Sequence, residues 1–128
     1  MGRRTFEKIL SFNIEWAYYK PVFVWSSKMK ALPNNLKGRV DLITGDITSI
    51  LTTINAKAYT RLYIDGGSTI QLFLKQDLID EMIITHISVL LGDGVSLFGT
   101  LPRKLEFTLA KSEVHLGRIV QETYIRKR

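Results

Sequence analysis

The chain has 128 residues, 45% of them hydrophobic, a net charge of +6 and no cysteine. This length carries one buried core, so a single domain over residues 1–128 is expected, and the lack of cysteine excludes a disulfide framework, a thiolate metal site and a thiol nucleophile. No apolar run nears the roughly 20 residues of a membrane helix, and "MGRRTFEKIL" lacks a secretion signal's apolar core, so a soluble, cytoplasmic protein is expected.

From Thr5 to about Phe12, Phe6, Ile9 and Leu10 recur at helical spacing, which predicts a short amphipathic helix with Thr5 as its N-cap. Pro21 bars its continuation, and "VFVWSS" (22–27) reads as a strand buried on both faces. A loop over 28–39 and a short strand near 40–44 follow. In "GDITSILTTI", Asp46 is a ready N-cap and Ile47, Ile50, Leu51 and Ile54 mark a helix ending near Lys57. "RLYI" (61–64) predicts another strand, running into Gly66 and Gly67. Ser68 and Gln71 match the reciprocal capping pattern of the next helix, which buries Ile70, Phe73 and Leu74. "MIITHISVLL" (82–91) predicts a long strand, and "KLEFTLA" and "GRIVQETYI" an antiparallel pair turning near His115–Gly117. This alternation predicts an α/β sandwich with a mostly parallel sheet and a C-terminal antiparallel strand pair.

In open α/β sheets, ligands collect where strands end and helix N-termini offer free N–H groups. Three such junctions carry polar or glycine-rich residues: Gly2-Arg3-Arg4-Thr5, Ser26-Ser27-Lys28 and Gly66-Gly67-Ser68-Thr69. The first could clamp a phosphate between guanidinium groups and backbone amides; the second offers two hydroxyls and an ammonium to an anion or ribose. In the third, glycines open the backbone to close approach, although the G-x-G-x-x-G fingerprint is absent. Solvated surface charge and plain turns explain each junction taken singly. The clustered basic residues (Arg3, Arg4, Lys8; Lys28, Lys30, Lys37, Arg39; Arg126, Lys127, Arg128) suggest an anionic partner, but no basic run is interleaved with stacking aromatics, so nucleic acid is not expected. His86 reads as a core or edge histidine, His115 as a turn residue, and Asp77, Asp80 and Glu81 as a polar loop. With two histidines far apart in sequence, no metal site is expected.

Together, "MGRRTFE", "VFVWSS", "GD" at a helix start, "YIDGGSTIQLFL" and "LIDEMIITHISVLLGDGVSLF" resemble the dihydrofolate reductase superfamily. The likeness is to the branch holding the reductase domain of the riboflavin-biosynthesis deaminase-reductase and many small bacterial reductases. It implies a dihydrofolate-reductase-like three-layer α/β/α sandwich and an NADPH-dependent reductase. The substrate would be pterin-like or ribosylaminopyrimidine-like, and the protein a homodimer with no membrane or nucleic-acid partner. By the resemblance Arg3 and Arg4 face the 2′-phosphate of NADPH and Thr5 its pyrophosphate. Ser26, Ser27 and Lys28 flank the adenosine phosphate, and Gly66, Gly67, Ser68 and Thr69 pack on the pyrophosphate, with the glycine pair often joined by a cis peptide. Thr85 falls on the substrate side. Asp65 departs from the family's glycine triplet and would repel a pyrophosphate unless turned away.

Family members carry a strand, a mobile loop and a helix ahead of the first of these segments, forming the nicotinamide pocket and most of the substrate pocket. The missing strand would lie between those at 61–64 and 82–89. An internal-methionine start is the favoured account of this apparent N-terminal truncation; a second chain filling the gap, or closure of the two strands, are the others. No catalytic acid is nominated. The alternative function is a non-catalytic nucleotide-binding or dimerising module that keeps only the phosphate-binding half; a third is a basic nucleic-acid binder, whose affinity would fall steeply with salt.

Overall fold

The computed structural model describes residues 1–128, which form two compact units, Met1–Ile70 and Gln71–Arg128. In the first, helix α1 (Arg3–Leu10) starts two residues before Thr5, because the Phe6 N–H already bonds the Gly2 carbonyl at 3.2 Å. Gly2, in extended conformation, is the cap, and Thr5 lies within the first turn. Phe6 is fully buried with Val22, Val24, Leu36 and Val40, and Trp16, Tyr18, Leu10 and Leu42 pack around this core.

Strand β1 (Val22–Trp25) pairs in parallel with β2 (Val40–Ile43), Val22 opposite Val40 and Trp25 opposite Ile43. β1 alternates instead of burying both faces: Val22 and Val24 enter the core, whereas Phe23 and Trp25 are half-buried. Phe23 meets Tyr59 edge-on and lies beneath the Lys57 ammonium. A 3-10 turn at Asn34–Leu36 drops Leu36 into the core. Helix α2 (Ile47–Ala56) begins as its sequence predicts, with the Asp46 carboxylate accepting the Ser49 N–H at 2.8 Å, and buries Ile50 and Ile54.

Two expectations are corrected here. Residues 61–64 form no strand, since a strand exists only against a partner and no ladder reaches them. Helix α3 (Gly67–Lys75) starts one residue before Ser68, and the reciprocal cap is absent: the Gln71 amide donates to the Ser96 and Leu97 carbonyls, each at 3.2 Å.

α3 continues into the second unit, where Phe73, Leu74 and Ile79 are buried. Strands β3 (Glu81–Ile87), β4 (Phe107–His115) and β5 (Ile119–Arg126) form an antiparallel sheet in the order β3-β5-β4. β3 stops at Ile87, short of the expected 91, and Leu90 and Leu91 are exposed. β4 begins later and runs longer than "KLEFTLA", with a register shift between Leu109 and Lys111. Leu116 and Gly117, with φ of 52° and 65°, make the hairpin turn at the expected place. Asp77 and Asp80 are ion-pair partners: Arg126 grips both oxygens of Asp77 at 2.6 and 3.0 Å, Arg103 adds a third contact at 2.9 Å, and Arg128 pairs with Asp80. The α/β class and the C-terminal antiparallel pair are thus both present, with parallel pairing confined to β1 and β2.

Candidate functional site

The three glycine-rich or polar junctions lie together in the first unit. Gly2 forms a parallel bridge to Trp25, and the Trp25 N–H donates to the Met1 carbonyl at 2.9 Å, which places Ser26 beside the start of α1. A Cβ on Gly2 would stand 2.8 Å from Thr69 Oγ1, and one on Gly66 would stand 2.5 Å from Thr5 Oγ1. Both distances are too short for any side chain, so the N-termini of α1 and α3 meet only because both positions are glycine. Gly66 also has φ of +93°, a conformation that L side chains rarely adopt. The peptide bond between Gly66 and Gly67 is trans, as are all others, so the cis bond implied by the resemblance is not found; the positive φ of Gly66 makes the turn instead.

These helix starts are rich in donors. The Phe6 and Ile70 amides close the first helical bonds, onto Gly2 and Gly66, which leaves the N–H groups of residues 3–5 and 67–69 without helical acceptors. The Thr5 and Thr69 hydroxyls have no partner in the protein, although Thr69 is only 8% exposed. Ser26 is buried and its Oγ accepts the N–H groups of Lys28 and Met29 at 3.1 and 3.0 Å, so it shapes the loop that presents exposed Ser27 and Lys28. Arg3 turns along α1 to the carboxylate of Glu7 at 2.7 Å, whereas Arg4 is exposed and forms no ion pair.

Asp65 faces two compensating groups. The Tyr18 hydroxyl donates to Asp65 Oδ2 at 3.4 Å, and the carboxylate also acts on the Met1 ammonium. Burial, then the nearby Asp65 charge, push the Tyr18 hydroxyl above its usual range. No local sequence signal announces this pairing of residues 47 apart.

Other candidates belong to the second unit. Thr85 accepts a hydrogen bond from Gln121 at 3.3 Å; His86 is exposed and lies 3.1 Å from Glu122, which also accepts the Tyr124 hydroxyl at 2.7 Å. No group of three or more His, Asp or Glu residues could hold a metal ion. No helix is long and apolar enough to cross a membrane.

Comparison with known proteins gives a consistent picture. The family model described as the RibD C-terminal domain matches residues 19–120. Over its whole length the chain is 52% identical to a protein of Shewanella sp. PV-4 named as a candidate riboflavin biosynthesis protein; it covers 72% of that chain with a TM-score of 0.95. It is 28% identical to the uncharacterized Bacillus subtilis protein YwjB, covering 98% of this chain and 71% of YwjB. Acinetobacter baumannii RibD shares the fold at 19% identity, with a TM-score of 0.65 over 84% of this chain and 38% of RibD.

Proposed function

The chain belongs to the RibD C-terminal domain family, and from that premise we propose that it supplies the phosphate-binding half of an NADPH-dependent reductase acting on a ribosylaminopyrimidine-like or pterin-like substrate. The observation that carries this reading is the convergence of two helix N-termini at Gly2, Thr5, Gly66 and Thr69. A pyrophosphate needs several N–H and O–H donors on a surface free of side chains, and the residues present fit that need: six amides without helical acceptors, two unpartnered hydroxyls, two glycines that let the helix starts meet, and Gly67, whose Cβ position faces open space.

In this reading the amides and hydroxyls of α1 and α3 hold the pyrophosphate and both helix dipoles favour its charge. Arg4, free of Glu7, binds the 2′-phosphate, and Lys28 adds positive charge beside Ser27. Arg3 acts through its backbone N–H, since its guanidinium is occupied. The Tyr18 hydroxyl holds Asp65 and keeps its carboxylate from opposing the phosphates. When bound, the nicotinamide supplies the hydride; these residues fix where the dinucleotide lies.

Calorimetric titration of the chain with NADPH, 2′,5′-ADP and NADH is the test. NADPH and 2′,5′-ADP should bind with similar affinity and NADH more weakly. Absence of binding by NADPH and 2′,5′-ADP alike would remove the proposal. Turnover of NADPH with a pyrimidine or pterin substrate separates a complete reductase from a module that only binds the nucleotide.

A further inference from the structure

The outer edge of the antiparallel sheet is a feature that nucleotide binding does not use. β4 stands at one end of the order β3-β5-β4 and pairs only with β5, and all of its residues except Phe107 and Glu113 are exposed. At the hairpin the Arg118 N–H donates to the His115 carbonyl at 3.2 Å, so His115 turns its backbone groups towards β5. Alternate residues of an antiparallel strand turn theirs to opposite edges. Lys111 and Glu113, opposite Thr123 and Gln121, therefore share the direction of His115, while Ser112 and Val114 present N–H and C=O groups to the open edge.

Native edge strands are kept from indiscriminate pairing by lysines and bulges. β4 has both: Lys111, and the register shift between Leu109 and Lys111, which confines a straight ladder to the residues after it. An edge lysine opposes an arriving strand unless that strand sets a carboxylate opposite it. β4 is itself such a strand. Lys111 and Glu113 lie on the same face and pair at 2.7 Å on the exposed surface. A second β4, antiparallel about a two-fold axis through Ser112, sets Lys111 opposite the partner's Glu113 and Glu113 opposite the partner's Lys111. Each ammonium then lies between carboxylates and each carboxylate between ammoniums. Ser112 exchanges both backbone bonds with the partner's Ser112, and Val114, 67% exposed in the single chain, meets the partner's Ala110. Side chains opposite one another in such a pair stand about 5 Å apart at Cβ, where unlike charges stabilise and like charges destabilise. Moving the axis by one residue sets Lys111 against the partner's Lys111, or Glu113 against the partner's Glu113, so the charges select a single register.

We propose that the open edge of β4 is an interface between two copies of this chain, paired antiparallel about Ser112 with Lys111 and Glu113 fixing the register.

Sedimentation velocity of the full chain over a concentration series at low salt, where surface charges are least screened, is the test. The wild type should pass from monomer to dimer as its concentration rises. Lys111→Glu and Glu113→Lys each set like charges opposite one another and should raise the dissociation constant by about tenfold or more. Mixed together, the two variants should associate again, since each offers the charge that the other lacks. Ser112→Pro removes an N–H that β5 does not use, so it should abolish the dimer while circular dichroism shows the sheet retained. A wild type that stays monomeric throughout, association indifferent to the charge substitutions, or a mixture of the two variants that stays monomeric would each overturn the proposal.

Discussion

Gly66 and Gly67 are neighbours for which the structure demands opposite outcomes on substitution by alanine. At Gly66 the φ of +93° is retained only with strain, and the new Cβ would lie 2.5 Å from Thr5 Oγ1. The backbone term costs about 1–3 kcal/mol, and driving Thr5 off its rotamer adds about 1 kcal/mol. A loss of about 2–4 kcal/mol is therefore expected for Gly66→Ala, together with weaker NADPH binding, because the helix starts are forced apart. At Gly67 a Cβ meets nothing within 4 Å, and the residue opens α3. Alanine there should be neutral or stabilising by about 0.5–1 kcal/mol. Urea denaturation of both variants, and of Gly66→Ala combined with Thr5→Ala, separates the terms. Removing Thr5 Oγ1 leaves its Cβ position at 3.5 Å, an ordinary contact, so the double variant should recover about 1 kcal/mol relative to simple addition. Equal effects at Gly66 and Gly67, or no recovery in the double variant, would refute the close approach of α1 and α3.

Further outcomes follow from the same geometry. Thr69→Val, close to isosteric, should leave the fold intact and weaken NADPH and NADH alike by about tenfold, the worth of one hydrogen bond to a charged oxygen, as read by calorimetry. Arg4→Ala should weaken NADPH by about tenfold while leaving NADH nearly unchanged, and Arg3→Ala should affect both cofactors weakly because its guanidinium is held by Glu7; the ratio of the two dissociation constants is the measurement. Hydrogen bonds from Arg126, reinforced by its charge and those of Arg103 and Arg128 and opposed by burial, hold the Asp77 carboxyl below the usual range. A carboxyl depressed in the folded state stabilises at pH above its unfolded value and loses that contribution as pH falls through the folded one. The urea midpoint of the wild type should accordingly fall more steeply below about pH 4 than that of Asp77→Asn, which starts lower at neutral pH. Phe6→Ala, at a fully buried core position, should cost about 3–5 kcal/mol by the same assay.

Local signals in the sequence determined the helices and the terminal hairpin. The 3.6-residue spacing of Ile47, Ile50 and Ile54 and the Asp46 cap specify α2 without outside help, and the hairpin turns at Gly117, which takes its positive φ without strain. The polar and glycine junctions were equally legible, because glycine beside a helix start is a statement about local backbone. Strands were less so, since their existence depends on partners that sequence does not name. The apolar run at 61–64 is not a strand because no ladder reaches it, while β1 is one because β2 lies alongside. Side-chain roles divided in the same way. Arg3 meets Glu7 one helical turn along α1, a local pairing, but only the folded chain decided that Gln71 reaches the Ser96 and Leu97 carbonyls and that Asp65 finds Tyr18. Capping and periodicity act over three or four residues and are written in the sequence there. Pairing and charge compensation act across tens of residues, where the choice among many chemically equal partners is made by the position of the backbone.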